Sequence, residues 1–253
     1  MKVFSGQSIW LIGASEGIGA ALAQRLAEAG AELVLSARNA DALHAVAAAL
    51  PGTHRVVPCD VTDPTSVAAA WQSVSGAGRP LDRVIYNAGA YEPMDAAHFD
   101  RSKIARMVDV NFNGALNMLA WVLPDFMARN AGHIALVGSV AGYRGLPAAL
   151  GYGASKAALI HLAENLRADL ARTNIQVQII NPGFVKTRLT DRNDFTMPCI
   201  ITPERAADYI VRGLQQTRFE IDFPKRFSRV MKLLSLLPYG AYFWLLRQVK
   251  WSS

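Results

Sequence analysis

A chain of 253 residues that is 51% hydrophobic and 18% charged carries enough apolar surface for a large core, which excludes an intrinsically disordered protein. Two distant cysteines, Cys59 and Cys199, with no Cys or His at ligand spacing, argue against a disulfide framework or a metal site and point to a reducing, cytoplasmic setting. The net charge of +6 does not mark a nucleic-acid binder. No acidic residue follows Asp222, whereas Lys225, Arg226, Arg229, Lys232, Arg247 and Lys250 do follow it, and without those six the remaining 20 basic residues balance 20 acidic ones.

The N-terminal residues lead into Ile9-Trp10-Leu11-Ile12, too short for a signal-peptide core and followed by a glycine turn rather than a cleavage site. Short β-type runs are expected at Ser8–Ile12, Glu32–Ser36, Arg55–Pro58, Arg83–Tyr86, His133–Gly138, Gln176–Asn181 and Phe219–Phe223. Helical stretches alternate with them at Gly19–Ala29, Ala40–Leu50, Pro64–Val74, Arg101–Asn130, Tyr152–Arg172 and Pro203–Gln216. This alternation predicts an α/β fold, a parallel sheet with helices on both faces. Residues 1–224 read as one domain and residues 225–253 as a basic, amphipathic C-terminal extension.

Two local patterns carry chemistry. Gly13-Ala14-Ser15-Glu16-Gly17-Ile18-Gly19 lies where the first strand should turn into the first helix. Glycines there allow a tight turn, close approach of a ligand to the backbone and close helix–strand packing, while the helix N-terminus offers free N–H groups to a pyrophosphate. Further on, Tyr152-Gly153-Ala154-Ser155-Lys156 sets a phenol and an ammonium four residues apart, on one face of a helix. A cation beside a phenol favours the phenolate, so Lys156 is expected to lower the Tyr152 pKa and make it a general acid or base.

With these motifs the chain resembles the short-chain dehydrogenase/reductase family over roughly residues 5 to 224. Asp60-Val61 matches the family's adenine-side pair, Asn87-Ala88-Gly89 its turn after the fourth strand, and Asn111 its helix asparagine. Ser139 with Tyr152 and Lys156 matches its active-site set, and Pro182-Gly183 with Val185 and Thr187 its segment after the sixth strand. The resemblance implies a Rossmann-type doubly wound sheet of about seven strands. It also implies hydride transfer between a nicotinamide cofactor and a carbonyl or alcohol. Ser139 would bind the substrate oxygen and Tyr152 would donate its proton. Lys156 would tune the tyrosine and hold the nicotinamide ribose, and Asn111 would anchor a water leading to Lys156. The cofactor would lie on Gly13, Ser15, Glu16, Gly17, Ile18, Gly19, Arg38, Asp60, Val61, Asn87, Ala88, Gly89, Tyr152, Lys156, Pro182, Gly183, Val185 and Thr187.

Cofactor choice rests on the end of the second strand. Ala37 stands where the family's NAD enzymes carry aspartate, and Arg38 follows it; a guanidinium matches a 2′-phosphate, so NADP(H) is expected over NAD(H). Three departures from the family pattern are Ile12 for a threonine, Tyr86 for an asparagine, and Glu16 where many NADP enzymes carry a basic residue. The expected substrate is a small hydrophobic ketone, aldehyde or secondary alcohol, walled by Tyr91, Met94, Tyr143, Leu146, Leu150, Phe184 and the stretch Arg188–Ile201, the last read as a lid. In the tail, Phe227–Leu237 and Tyr239–Val249 are apolar and basic, with Trp244 and Trp251 near Arg247 and Lys250. Neither reaches the roughly 20 apolar residues of a spanning helix. They fit a subunit interface, a flap over the substrate pocket, or a peripheral contact with the inner membrane surface. The expectation is thus a homo-oligomeric enzyme, dimer or tetramer. A nucleotide-binding sensor or scaffold without turnover is the alternative, disfavoured by the presence of both Tyr152 and Lys156.

Overall fold

The computed structural model describes residues 3–76, 78–193 and 195–248. Seven parallel strands form one sheet in the order β3-β2-β1-β4-β5-β6-β7. They are β1 (Ser8–Ile12), β2 (Glu32–Ser36), β3 (Arg55–Val56), β4 (Arg83–Tyr86), β5 (Gly132–Val137), β6 (Ile175–Pro182) and β7 (Glu220–Phe223). Their continuous apolar runs reflect burial on both faces. Along β1, Ile9 and Leu11 enter the core on one side of the sheet, while Trp10 and Ile12 enter the core on the other. Each such side chain contributes roughly 1.5–3 kcal/mol on full burial.

The chain runs from β1 outward to β3, then crosses back to β4 on the other side of β1. That reversal opens a crevice at the carboxyl ends of β1 and β4, where ligands bind in open α/β sheets. Ile12 pairs with both Ser36 and Tyr86 there, so the turns after Ile12 and Tyr86 face the same gap.

Between the strands lie α1 (Gly17–Glu28), α2 (Ala40–Ala49), α3 (Pro64–Ser75), α4 (Arg101–Val108), α5 (Gly114–Arg129), α6 (Leu150–Asp169) and α7 (Pro203–Leu214). Asn39, Asp63, Asp100 and Thr202 cap α2, α3, α4 and α7 through their side chains, satisfying N–H groups that a helix start leaves unpaired. The α1 start has no such side-chain cap from Glu16, and its first turn opens on the crevice.

The single helix expected over 101–130 is broken. A π-helical turn, Asp109–Asn113, separates α4 from α5. Its cause is tertiary: the buried Tyr86 hydroxyl donates to the Val110 carbonyl at 2.5 Å. Gly114 lets the phenol in, since a Cβ there would lie 2.2 Å from the Tyr86 oxygen. The wide turn points the fully buried Asn111 inward.

The tail forms α8 (Lys225–Ser235) and α9 (Tyr239–Gln248). Lys225 and Lys232 pair with Asp222 on β7 at 2.5 and 3.3 Å, and Lys232 also pairs with Glu220 at 2.5 Å. Ser228 donates to Asp222, and Tyr143 and Asn181 to Glu220. Burial alone would raise the Asp222 carboxyl, but Lys225, Ser228 and Lys232 together hold it below the usual carboxylate range. Val249, Lys250 and Trp251 lie outside the described residues.

Candidate active site

The glycine turn has the form a phosphate cradle needs. Gly13 has φ +87° and Gly17 φ +56°, conformations open to glycine. A Cβ on Gly13 would lie 2.5 Å from the Ala88 nitrogen, and one on Gly19 would lie 1.9 Å from the Gly13 carbonyl oxygen. Gly19 therefore seats α1 under the turn instead of lining the cleft. Asn87 donates from Nδ2 to the Gly13 carbonyl at 2.8 Å and ties the β4 turn to the glycine turn. Thr187, from the segment after β6, closes the opposite side; its Cγ2 would be 3.1 Å from a Cβ on Gly17.

The resulting cleft has a volume of about 640 Å³ and runs from Gly13, Ser15, Glu16, Gly17 and Ile18 to Arg38, Asp60 and Val61. Asn87, Ala88, Gly89 and Thr187 complete its inner wall. Burial pushes the Asp60 carboxyl up, but hydrogen bonds from the Thr62 N–H and hydroxyl, with the charge of Arg38, more than offset this and hold it low. Arg38 is exposed and has no ion pair among the described residues. Glu16 meets Arg188 at 3.5 Å, so its charge at the cleft mouth is opposed. A cradle that any Cβ would fill, an uncapped helix start and a fixed acid at the far end fit a dinucleotide.

A second cavity, about 450 Å³, adjoins the first and shares Ile18, Asn87, Gly89, Thr187 and Leu189 with it. Ser139, Tyr152 and Lys156 line it. Ser139 follows β5, while Tyr152 and Lys156 occupy consecutive turns at the start of α6. The Ser139 hydroxyl lies near enough to the Tyr152 phenol to favour its ionised form and accepts from the Ala141 N–H at 3.1 Å. Lys156 Nζ donates to the Val137 carbonyl at 2.7 Å and sits 5.8 Å from the Tyr152 ring centroid. Pro182, Gly183 and Val185 border this cavity, not the cleft.

Asn111 stands behind both cavities. It donates to the Ala90 carbonyl at 3.0 Å and to Ser155 Oγ at 2.9 Å, and accepts from the Ala90 N–H at 2.7 Å. Its side chain thus staples the β4 turn to α6 and keeps one Oδ1 lone pair. A Cβ on Gly89 would lie 3.6 Å from that oxygen and 3.9 Å from Lys156 Nζ, so glycine keeps the space between the two groups clear.

The electrostatics differ from the sequence expectation. Burial pushes the Tyr152 phenol up, with Ser139 only partly offsetting it, and burial pulls Lys156 down to about 8. The ammonium lies over the ring and its hydrogen bond goes to Val137, and burial sets the direction for both groups. A lysine lowered from 10.5 to about 8 costs stability wherever the fold must keep it charged. At pH 7 both the folded and unfolded states hold the proton and the cost is complete. As pH rises from 8 towards 10.5 the folded state releases its proton first and the cost disappears. Lys156→Met should therefore stabilise the fold at pH 7 by about 1–2 kcal/mol, or roughly 3–6 °C in Tm. Melting curves at pH 7 and 10 should show that gain vanish at the higher pH.

The family model for short chain dehydrogenases matches residues 7–196. The chain belongs to the short-chain dehydrogenase family. An uncharacterized oxidoreductase of Myxococcus xanthus is 33% identical over 241 residues, covering 94% of this chain and 95% of the relative. A short-chain dehydrogenase from Sphingobium yanoikuyae, solved in complex with NADPH, superimposes with a TM-score of 0.81 at 27% identity, over 98% of both chains. A family member from Burkholderia phymatum, solved with NAD, shares the fold with a TM-score of 0.83 at 23% identity, over 92% of this chain and 94% of that one. This short-chain dehydrogenase is accordingly an oxidoreductase built for a nicotinamide cofactor.

The walls of the second cavity in this short-chain dehydrogenase match the sequence reading only in part. Tyr91, Leu146 and Phe184 line it, as do Thr190, Asn193, Phe195 and Pro198 of the 188–201 stretch. Met94, Tyr143 and Leu150 do not. Met94 is buried beside Asp100, whose N–H meets its sulfur at 3.3 Å, Tyr143 turns to Glu220, and Leu150 is exposed. The stretch read as a lid is zipped at its base by Val185 and Ile201. Its tip is tied by the Tyr91 hydroxyl to Asn193 at 2.6 Å and by Arg192 to Glu92 at 3.7 Å; Asp194 is outside the described residues. Phe227 and Met231 of α8 line the cavity too, and Phe227 packs 5.4 Å from Phe184. Their i, i+4 spacing marked an apolar face in the sequence, and a flap over the substrate pocket is one of the three readings given for it.

Proposed function

We propose that the protein transfers a hydride between NADP(H) and a hydrophobic carbonyl/secondary alcohol pair. The reading is carried by one observation: Ser139, Tyr152 and Lys156 converge in an apolar cavity that shares a wall with the dinucleotide cleft. The first turn of α1 with Gly13, Ser15 and Gly17 would hold the pyrophosphate, Asp60 and Val61 the adenine side, and Arg38 the 2′-phosphate. Asn87, Gly89 and Lys156 would hold the nicotinamide ribose, with Ile18 and Thr187 beside the ring. When bound, the cofactor supplies or accepts the hydride at the substrate carbon.

The protein's own groups handle the oxygen and its proton. Ser139 accepts one hydrogen bond, from the Ala141 N–H, and its O–H is the donor available to the substrate oxygen. Burial keeps Tyr152 protonated at neutral pH, so in the reductive direction it is loaded to give its proton to the oxygen as negative charge develops. The O–H bond of Tyr152 breaks as the substrate O–H bond forms, leaving a phenolate that Lys156, charged below pH 8, stabilises. Asn111 holds the β4 turn and α6 in place, and its remaining lone pair can retain a water towards Lys156. Phe184, Phe195, Phe227 and Met231 select an apolar substrate body.

The test is oxidation of NADPH and NADH against a panel of hydrophobic aldehydes and ketones, with Arg38→Ala beside the native protein. A guanidinium bond to phosphate is worth roughly 1.5–3 kcal/mol. Arg38→Ala should cut the NADPH-over-NADH preference in kcat/KM by roughly 10- to 100-fold. A native preference for NADH, or a ratio that Arg38→Ala leaves unchanged, would overturn the assignment of Arg38.

A further inference from the structure

Helix α8 has two unlike faces. Its inner face sends Phe227 and Met231 into the cavity and Ser228 and Lys232 to β7. Its outer face exposes Arg226, Arg229, Val230 and Leu233. Exposed apolar residues go on past the helix end: Leu236, Tyr239, Phe243 and Trp244 follow Val230 and Leu233. All six are exposed, Leu236 by 80% and Tyr239 by 72%, and Tyr239 stacks on Phe243 at 6.0 Å.

This elbow is held firmly. Arg144 donates to the carbonyls of Leu234, Ser235 and Leu237 at 3.1, 2.9 and 2.5 Å and stacks on Tyr239 and Tyr242. The Tyr242 hydroxyl donates to the Gly145 carbonyl at 2.8 Å. Its polar atoms are satisfied on the body side while the apolar tips face outward. Contiguous exposed patches of this kind mark interaction surfaces.

Charge identifies the partner. Arg226, Arg229 and Arg247 are exposed along the same elbow, and no acidic residue follows Asp222. In a two-fold contact between copies the patch would meet itself and set cation against cation. An anionic lipid surface offers the opposite charge together with an apolar layer for the aromatic tips. No helix among the described residues is long and apolar enough to cross a membrane.

We propose that the α8–α9 elbow docks on the surface of an anionic lipid bilayer. Leu233, Leu236, Tyr239, Phe243 and Trp244 seat at the acyl boundary, and Arg226, Arg229 and Arg247 contact lipid phosphates. The proposal concerns docking and holds whichever reaction the cavity supports.

The protein over residues 1–253 would be sedimented with vesicles of equal parts phosphatidylglycerol and phosphatidylcholine, beside vesicles of phosphatidylcholine alone. It should pellet with the first at low salt and be released as salt approaches ~1 M, where screening acts within about 3 Å. The triple variant Arg226→Gln, Arg229→Gln, Arg247→Gln should weaken partition roughly 100-fold, at about a factor of five per cation. Leu236→Ser with Phe243→Ser should weaken it at least about tenfold. These exposed positions line neither cavity, and melting curves close to native would show the variants folded. Native protein left in the supernatant with anionic vesicles at low salt would overturn the proposal, as would undiminished pelleting of both variants. It would equally fall if the native chain were a dimer that ignores vesicles and that Leu236→Ser with Phe243→Ser dissociates; a second copy would then cover the patch.

Discussion

Tyr152→Phe should lower kcat for carbonyl reduction by about 10³-fold, within the 10²–10⁴ range of a lost general acid, and leave nicotinamide-nucleotide affinity within about twofold. The substitution removes one oxygen and keeps the ring, which packs edge-on against Tyr91 at 4.9 Å. The phenol oxygen faces the Ser139 hydroxyl, so its loss leaves one hydroxyl in a cavity open to ligand and costs little stability. The discriminating measurement is kcat beside the dissociation constant of NADPH on the same preparation. Turnover within tenfold of the native rate would mean another group delivers the proton, and the proposed roles of Ser139, Tyr152 and Lys156 would have to be abandoned.

Gly13→Ala should weaken nucleotide binding severely and also weaken the fold. A φ of +87° is strained for an L-residue, by roughly 1–3 kcal/mol. The methyl would also lie 2.5 Å from the Ala88 nitrogen and 2.8 Å from its Cα, both backbone atoms that no rotamer change can move aside. Pushing the turns after β1 and β4 apart strains the Asn87–Gly13 hydrogen bond and misplaces the N–H groups meant for the pyrophosphate. Expected results are a Tm lower by roughly 5–10 °C and NADPH affinity reduced at least about 100-fold. Calorimetric unfolding and a binding titration measure the two effects separately. Native affinity in the variant would show that the glycine turn does not hold the cofactor.

Much of the fold was legible because its signals are local. The strands Ser8–Ile12, Glu32–Ser36 and Arg83–Tyr86 have the bounds that their apolar runs suggest, and the strand–glycine turn–helix order implies a switch point before any pairing is known. Parts that depend on contacts across the fold were not legible. The break at Asp109–Asn113 is caused by a phenol from β4, some two dozen residues upstream, which no helical periodicity can register. The pKa directions of Tyr152 and Lys156 followed from how deeply α6 is packed, whereas the spacing of the pair speaks only of their proximity. Phe227 and Met231 became cavity walls because β7 delivers α8 across Gly183; a Cβ there would meet the Phe227 ring at 2.8 Å. Tyr143 was misread because its partner, Glu220, lies 77 positions away.

The pairing of α8 with β7 also bears on how the tail can be dissected. Glu220 and Asp222 sit at the last strand of the sheet, and the cations that neutralise them, Lys225 and Lys232, both come from the tail. A chain cut before Lys225 would remove these cations together with the helix packed over β7, leaving both acids at a sheet edge open to water. Lys225 and Lys232 are themselves 50% and 40% exposed, so the lost ion pairs are worth little, but the cut also removes Phe227 and Met231 from the wall of the second cavity. Truncation therefore changes the sheet edge and the cavity wall as well as the tail, and point changes on the outer face of α8 are the way to alter the tail while leaving both intact.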